Sequence, residues 1–420
     1  MSSEWILTTL GEICSKQNGA IQTGPFGSQL HTSDYKDVGI PVVMPTNIGD
    51  GGIATDGIAR IDGSDVERLQ QHKLQLDDIV FSRRGDVTKN ALVRSQEVGW
   101  LCGTGCLKLR LGEESIANAT FISYYLRLPD TKEWLVRHAV GATMPNLNTG
   151  ILSAVPIKLP PLAIQLEIAA VLGSLDGRIT LLRDTNKTLE SIGQAIFKSW
   201  FVDFDPVRAK MAGRQPEGMD EETAAMFPDS FEESELGSVP RGWLPTRLDS
   251  FLELAYGKAL KAENRNVGAV PVYGSGGVTG WHDSALCSSP SIIIGRKGTV
   301  GSLYWESRPF FPIDTVFYVK ADRPLTYCYQ LLRTLGLNNM NTDAAVPGLN
   351  RANVYRLRVP DAPPAVLAAF DATASALRQS VDHNKRRAQV LASIRDMLLP
   401  RLISGQLRLP EAQKQIENAL

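Results

Sequence analysis

The sequence predicts an α+β protein in which two mixed α/β domains follow one another along the chain, each succeeded by a long helix. Three observations support this prediction: short strand-type runs separated by turn residues, two stretches with a seven-residue apolar period, and a duplication that relates the two halves. The composition of the 420 residues, 43% apolar and 21% charged, is typical of a globular protein with more than one domain. We therefore expect a pseudo-twofold internal repeat.

The duplication rests on three pairs of short segments that occur in the same order in both halves. The alignment of the first pair also matches Gly19 with Gly257. The middle pair places the same basic turn, two cations followed by glycine, after an apolar run of strand type. The three pairs are WILTTL (residues 5–10) with WLPTRL (243–248), DIVFSRRGDVTKN (78–90) with SIIIGRKGTVGS (291–302), and PNLN (145–148) with PGLN (347–350).

These segments divide the chain into six regions. Strand-rich domains are expected on both sides of an acidic connector that is punctuated by proline and glycine. Long helices that start near proline-rich segments follow each domain. The regions are a first domain (1–160), a first long helix (161–204), the connector (205–240), a second domain (241–361), a second long helix (362–408) and a tail (409–420).

The two helical stretches carry the pattern of a coiled coil, because apolar residues recur every seven positions. Each helix would span roughly 35–40 residues and would therefore extend beyond a single domain, so we expect the two helices to pair. The connector is long enough to let the two helices run antiparallel. The alternative is that each helix covers only its own domain. Asn384 interrupts the second stripe and is expected to fix the register. The stripes comprise Ile168, Leu175, Leu182, Leu189, Ile192 and Ile196 in the first helix and Phe370, Leu377, Leu391 and Leu398 in the second.

Sequence motifs for catalysis are missing. The chain contains neither a Walker-type nucleotide loop, nor the Glu-x-Lys of many nucleases, nor the Asn/Asp-Pro-Pro-aromatic motif of amino-methyltransferases. Cys102 and Cys106 lack a second ligand pair at zinc spacing, so we predict no metal site. The pattern favours a protein that binds rather than catalyses. With an odd number of cysteines and neither a secretory signal nor a membrane span, a cytoplasmic location is expected.

Several segments, in order along nearly the whole chain, resemble the specificity subunits of type I restriction–modification systems. The second half departs from the family pattern because it has no clear copy of Gly-Pro-Phe-Gly-Ser. The segments that carry the resemblance are GPFGSQ (24–29), LDDIVFS (76–82), LPPL (159–162), AIFKSWFVDF (195–204), DPVR (205–208) and MLLPRLISG (397–405).

The resemblance implies two target-recognition domains joined by two long antiparallel helices. Each domain would read one half of a split sequence in double-stranded DNA, and the helices would set the gap between the halves. The helices would also dock two modification subunits that methylate adenine, and restriction subunits would join this core. The specificity subunit would bind no cofactor itself, with S-adenosylmethionine, ATP and Mg²⁺ on the partner subunits.

The duplicated basic turn is the first candidate for DNA contact. Arginine and lysine neutralise phosphates or donate to guanine, and a glycine turn lets the backbone approach a phosphate. The net charge of −1 does not exclude this role, because a local cationic face is sufficient. The alternatives are solvated cations, ion pairs with Asp86 and, for the asparagines, helix capping. The expected contact residues are Lys16, Ser28, Gln29, Arg83, Arg84, Lys89, Asn146 and Asn148 in the first half and Lys258, Arg296, Lys297, Thr299, Asn350 and Arg351 in the second.

The helical stripes and an aromatic cluster at the end of the first long helix are the candidates for helix pairing and partner docking. If the aromatic residues of this cluster are exposed, they mark a partner site; if they are buried against the second helix, they form core. The assigned residues are Leu175, Leu182, Leu189, Ile196, Trp200, Phe201, Leu377, Asn384, Leu391 and Leu398.

Two other classes of function stay open on the sequence. A solitary specificity-like protein would bind DNA without methylase partners, and the genes beside its own would distinguish it. A single-chain nuclease is disfavoured by the missing Glu-x-Lys motif, and magnesium-dependent cleavage by the chain alone would support it.

Overall fold

The structure, a computed structural model, describes residues 5–49, 51–141, 144–341 and 348–417. Pro347, which belongs to one of the duplicated segments, lies outside the described residues. The chain divides into two compact units, one formed by residues 1–180 and 389–420 and the other by residues 181–388. Each unit holds one strand-rich domain and part of both long helices.

The first domain combines short strands with short helices, as its turn-rich sequence predicts. Its strands are β1 (Ile6–Thr9), β2 (Asn18–Thr23), β3 (Tyr35–Lys36), β4 (Ile40–Val43), β5 (Ala59–Ile61), β6 (Ile79–Ser82), β7 (Asn90–Leu92), β8 (Leu101–Cys102), β9 (Cys106–Gly112) and β10 (Pro156–Leu159). Its helices are α1 (Leu10–Lys16), α2 (Gly63–Arg68), α3 (Ala119–Tyr125), α4 (Pro129–His138) and α5 (Thr149–Ser153).

Two four-stranded sheets organise this domain. One has the strand order β2-β9-β6-β7 and is antiparallel throughout; the other has the order β3-β5-β4-β8. All four residues of β6 are buried, which explains its unbroken apolar run. In the second sheet β4 and β8 are parallel, with Val42 opposite Leu101. β1 pairs with β10, so the start of the domain meets its end.

The first long helix, α6, covers Leu162–Phe201, and a folded connector follows it. Phe204, Val207 and Phe227 of this region are buried in the same core cluster as Trp243 of the second domain. The acidic connector is therefore packed against the second unit through its apolar residues. Its elements are α7 (Asp205–Met211), α8 (Glu221–Ala225), β11 (Phe231–Ser234) and β12 (Gly237–Pro240).

The second domain repeats the main sheet of the first, whereas its other sheet has three strands instead of four. Its main sheet has the order β14-β20-β17-β18, the counterpart of β2-β9-β6-β7, and β15 lies parallel to β19 as β4 does to β8. β13 pairs with β21 at the two ends of the domain. These elements are β13 (Pro245–Arg247), β14 (Leu252–Tyr256), β15 (Val270–Gly274), β16 (Gly277–His282), β17 (Ser291–Gly295), β18 (Leu303–Glu306), β19 (Phe311–Pro312), β20 (Val316–Ala321) and β21 (Arg358–Pro360), with helices α9 (Leu325–Thr334) and α10 (Arg351–Arg356).

The second long helix, α11, covers Pro364–Ile403 and is followed by α12 (Leu409–Glu417). α6 and α11 have 40 residues each, which confirms the two predicted long helices. Within residues 181–388 they run antiparallel, because Asn186 bonds to Asn384 at 3.0 Å whereas Glu190, further along α6, pairs with Arg378, earlier on α11. The side-chain Nδ2 of Asn186 also donates to the carbonyl of Val381 at 3.2 Å, so the interruption at Asn384 is matched by a buried asparagine on the facing helix.

The predicted seven-residue stripe matches the buried face of α6 only in part. Ile192, predicted to lie in the stripe, is 42% exposed, which corrects that assignment, and Gly193 and Phe197 are buried instead. The reason is the mismatch between 3.6 residues per turn and a 3.5-residue repeat, which shifts the buried face along the helix. The residues assigned to helix pairing or docking lie as follows: Leu175, Phe201, Leu391 and Leu398 are buried, whereas Leu182, Leu189, Ile196, Trp200, Leu377 and Asn384 are half-buried.

Across the described ranges, no helix is both long and apolar enough to span a membrane. The five cysteines are free thiols, and all five are buried.

Candidate nucleic-acid interface

In the first domain, four chain segments meet at one end of the sheet formed by β2, β9, β6 and β7. The amide of Gly24, just after β2, donates to Cys106 at 2.9 Å, and the amide of Arg83, just after β6, donates to Gly105 at 2.9 Å. The amide of Leu147 donates to the carbonyl of Arg83 at 2.9 Å. We call this end of the sheet the turn edge of domain 1; it comprises residues 24–30, 83–89, 103–105 and 144–148.

The second domain repeats these backbone bonds one by one. The amide of Gly257 donates to Val316 at 3.3 Å, and the amide of Arg296 donates to Thr315 at 2.9 Å. The amide of Leu349 donates to the carbonyl of Arg296 at 2.8 Å. The turn edge of domain 2 comprises residues 256–260, 296–302, 313–315 and 348–351. Two segments that recur in the sequence, the basic turn and the later asparagine loop, thus lie side by side in both domains.

A glycine begins the same loop at both turn edges. A Cβ atom added to Gly24 would lie 2.0 Å from the carbonyl oxygen of Gly103, and one added to Gly257 would lie 2.1 Å from that of Ile313. Both glycines are required by close backbone approach. Gly257 is therefore the counterpart of Gly24, and the sequence alignment with Gly19 was wrong, because Gly19 lies at the opposite end of β2. The second half keeps the first glycine of the Gly-Pro-Phe-Gly-Ser segment without its remaining residues.

The side chain of the first cation in each basic turn is held by hydrogen bonds to the protein. The Arg83 Nε donates to the Asn146 Oδ1 at 3.1 Å and to the Leu147 carbonyl at 3.2 Å. The Arg296 Nη1 donates to the Asp314 carbonyl at 2.9 Å. Both side chains are half-buried. The first position of the turn thus stabilises the turn edge in addition to carrying charge.

The second cation of each turn, Arg84 or Lys297, is exposed. In the part of the chain that the structure describes, neither side chain forms a hydrogen bond or an ion pair. The glycine that follows has a φ of +77° at Gly85 and +81° at Gly298, a left-handed conformation that favours glycine. This pair of exposed cations is available to an anionic ligand.

The carboxylate of Asp86 is bonded to Thr88. Its Oδ1 accepts from the amide of Thr88 at 3.1 Å and from the hydroxyl of Thr88 at 2.6 Å. The hydrogen bond from the hydroxyl, followed by smaller contributions that include Lys89 and Lys132, lowers the pKa of this carboxyl. The predicted alternative, an ion pair between Asp86 and the turn cations, does not occur among the described residues.

The asparagines of the second shared loop have structural partners. The Oδ1 of Asn148 accepts from the amide of Ile151 at 2.8 Å and caps α5; the Oδ1 of Asn350 accepts from the amide of Ala352 at 2.8 Å and caps α10. Asn146 is bonded to the first cation of its turn. Capping, one of the two roles that the sequence left open, is what the structure describes at both positions.

The other residues expected at the interface divide into those at a turn edge and one that is remote. Ser28, Lys258 and Thr299 are exposed at their turn edges, and Lys89 is half-buried there. The side chain of Gln29 turns inward, because its Oε1 accepts from the amide of Phe26 at 3.1 Å. Lys16 ends α1 and lies at the opposite end of β2, away from the turn edge.

Two exposed aromatic residues at the turn edges are not among the contact residues predicted from the sequence. Phe26 is 59% exposed at the turn edge of domain 1, and Tyr256 is 48% exposed at that of domain 2. In the sequence Phe26 lies within the segment GPFGSQ and Tyr256 precedes Gly257, but the equivalence of Gly24 and Gly257 emerges only from the structure.

The two domains share the topology of their main sheet, and each holds a basic turn at the same end of that sheet. The family model for the type I restriction modification DNA specificity domain matches residues 2–191. The chain is therefore similar to the specificity subunits of type I restriction–modification systems.

Relatives and a solved structure extend the similarity beyond the first domain. The specificity subunit of the type I restriction enzyme HindI from Haemophilus influenzae is 24% identical over 353 residues, with 68% of this chain and 77% of the relative covered. That of MjaIX from Methanocaldococcus jannaschii is 24% identical over 317 residues, with 69% of each chain covered. The crystal structure of the type I restriction–modification S subunit from M. genitalium covers 96% of both chains with a TM-score of 0.55 at 18% identity, a likeness in fold.

Proposed function

We propose that this chain reads a bipartite target in double-stranded DNA, with one half-site bound at each turn edge. The observation that carries this proposal is the repetition of the turn edge, bond by bond, in both domains. A target made of two separate half-sites requires two binding surfaces of the same construction. The exposed second cations supply charge for phosphates, while the neighbouring side chains, which differ between the domains, supply sequence preference.

The long helices set the distance between the half-sites and dock two modification subunits. Asn186 with Asn384 and Glu190 with Arg378 fix one register of the helices within residues 181–388. Apolar side chains on the outside of α6, including Leu181 at 66% and Ile192 at 42% exposure, offer contact area for a partner. Restriction subunits join the assembly of specificity and modification subunits.

Methylation and cleavage belong to the partner subunits in this proposal. S-adenosylmethionine binds to the modification subunits, and ATP and Mg²⁺ bind to the restriction subunits. The support is the sequence, which contains none of the motifs that these reactions use.

The decisive experiment expresses the full chain together with type I modification subunits in a host without adenine methylation and maps methylated adenines across the host genome. We expect one split motif, with two short half-sites separated by a gap of constant length. A contiguous motif, or the same methylation without this chain, would contradict the proposal. The purified chain alone is expected to transfer no methyl group and to cleave no DNA with Mg²⁺. Specific DNA binding without association with modification subunits would favour the solitary alternative.

A further inference from the structure

The turn edge of domain 2 contains an aromatic residue whose ring contacts two arginines. Tyr256, the last residue of β14, is 48% exposed. The guanidinium carbons of Arg296 and Arg351 each lie 4.9 Å from the centroid of its ring. Guanidinium groups at this distance are attracted by the ring quadrupole, so the ring holds both of them in place.

Arg296 is oriented by further contacts. Its Nη1 donates to the Asp314 carbonyl at 2.9 Å, and its guanidinium carbon lies 5.7 Å from the centroid of the Phe317 ring. Its own amide and carbonyl take part in the backbone bonds of the turn edge. The plane of this guanidinium is therefore fixed by protein contacts, and only one of its five N–H donors has a partner among the described residues.

Arg351 is oriented in a similar way. Its Nη1 donates to the Leu254 carbonyl at 3.4 Å, and its guanidinium carbon lies 5.6 Å from the ring centroid of Tyr355. The Tyr355 hydroxyl accepts from the amide of Leu254 at 2.8 Å, which fastens α10 to β14. The helix that carries Arg351 is thus fixed to the strand that carries Tyr256.

Domain 1 has different chemistry at the same positions. With Gly24 matched to Gly257, Thr23 takes the place of Tyr256, and with Asn148 matched to Asn350, Thr149 takes the place of Arg351. The Nε of Arg83 is bonded to the loop instead of lying against an aromatic ring. The backbone is shared between the two turn edges, whereas this cluster belongs to domain 2, as expected of a feature that distinguishes two half-sites.

We propose that Tyr256, Arg296 and Arg351 form a guanine-reading cluster of domain 2, in which Tyr256 is a positioning residue for the two arginines. This inference rests on the proposed function. The fork of an arginine matches the O6 and N7 acceptors of guanine in the major groove, and this contact needs a fixed plane. A phosphate needs only charge, which the exposed Lys258 and Lys297 beside the cluster supply.

The test uses the full chain and duplexes that carry the mapped bipartite site with each base pair of the domain 2 half-site changed in turn. Tyr256→Phe keeps the ring and should retain wild-type discrimination. Tyr256→Leu keeps apolar bulk without the ring quadrupole, and Arg351→Lys keeps charge without the fork. Both should lose about tenfold or more of the discrimination at one G·C pair. Discrimination in the domain 1 half-site should be unchanged in every variant.

A duplex with 7-deazaguanine at that position removes the N7 acceptor and provides a second readout. It should weaken binding of the wild-type chain and of Tyr256→Phe, with little further loss for Tyr256→Leu.

Thermal unfolding of each variant separates loss of base recognition from loss of folding. A uniform loss over all half-site sequences would assign the cluster to phosphate and overturn the inference. Unchanged discrimination in folded Tyr256→Leu, or a half-site without guanine, would also overturn it while leaving the bipartite proposal intact. A wild-type chain without any sequence-specific binding would instead contradict the proposed function.

Discussion

The amide of Leu147 donates to the carbonyl of Arg83 across 2.9 Å, and this single bond joins the basic turn to a loop that is distant in sequence. The same relationship joins Leu349 to Arg296 at 2.8 Å. Because the loop also receives the side chain of the first arginine in domain 1, the two adjacent cations of that turn have unequal roles. The first is fastened to the protein, and the second faces outward.

Arg83→Ala and Arg84→Ala are expected to affect different properties, the first stability and the second DNA affinity. Arg84→Ala should weaken DNA binding equally for all sequences and lower the slope of log affinity against log salt by about one, with the unfolding temperature unchanged. Arg83→Ala removes hydrogen bonds to Asn146 and Leu147, so it should lower the free energy of unfolding by about 1–3 kcal/mol. Affinity measured over a salt series, together with denaturant unfolding, checks both expectations.

Lys297→Ala serves as the matched variant in domain 2 and should reproduce the salt effect of Arg84→Ala. If the salt slope of both exposed-cation variants equals that of the wild type, the turn edges do not contact phosphates.

The close approach of backbone at Gly24 gives a steric prediction. In Gly24→Ala the new methyl would lie 2.0 Å from the Gly103 carbonyl oxygen, so the turn edge must shift, at an expected cost of about 1–3 kcal/mol in the free energy of unfolding. Gly27→Ala, in the same loop, adds a methyl with no atom within 4 Å and should leave stability unchanged. Denaturant unfolding of the two variants makes the comparison. Equal stability of both would show that the loop yields without cost.

The duplication, the two long helices and the strand-rich domains were predictable from sequence, because each leaves a local or periodic signal. The basic turns of Arg83 and Arg296 could be placed after strands because an apolar run precedes each. Their contact with the asparagine loops could not be predicted from one half alone, since the bond joins segments far apart in the chain.

The finer features of the turn edges depend on tertiary contacts. Gly257 was aligned with Gly19 because a single glycine adds no periodic signal to a sequence. The close approach of the Ile313 carbonyl to Gly257, like that of the Gly103 carbonyl to Gly24, identifies Gly24 as its counterpart. The burial of Gly193 in place of Ile192 follows from helix geometry rather than from hydrophobicity. Tyr256 carried no signal of its own, because its role depends on arginines from two other segments.

A buried ionic cluster within the first unit yields a prediction for stability. The Asp176 carboxylate on α6 accepts from the Tyr124 hydroxyl at 2.8 Å, from Arg127 at 3.2 Å and from Arg395 of α11 at 2.6 Å. Asp176→Asn leaves these buried guanidinium groups without their anion and should cost about 3 kcal/mol in the free energy of unfolding. Asp396→Asn, which alters the 62% exposed second partner of Arg395, should cost less than about 1 kcal/mol.

The same cluster predicts a dependence on pH. Burial raises the pKa of Asp176, but the hydrogen bond from Arg395 and the charge of Arg127 outweigh it, so the pKa lies below the ordinary value of 3.8. A carboxyl whose pKa is depressed by folding contributes stability above its unfolded pKa and loses it as the pH falls through the folded pKa. The difference in unfolding free energy between wild type and Asp176→Asn should therefore be full at pH 7 and shrink below about pH 4. A difference that stays constant down to pH 2.5 would contradict the assigned charge state.

The paired helices predict how the DNA gap responds to helix length. Asn186 of α6 and Asn384 of α11 mark one level of the pair, so seven residues inserted after Thr185 and seven after Asn384 lengthen both helices together. Seven residues add about 10 Å of helix and return the apolar stripe nearly to its original face. At about 3.4 Å per base pair, the gap between the half-sites should grow by about three base pairs.

Methylation mapping with the lengthened chain should find both half-sites unchanged and only the gap altered. A seven-residue insertion in α6 alone, which puts the asparagines out of register, should abolish the split motif. If the matched insertion changed the bases that are read while the gap stayed constant, the helices would not set the spacing.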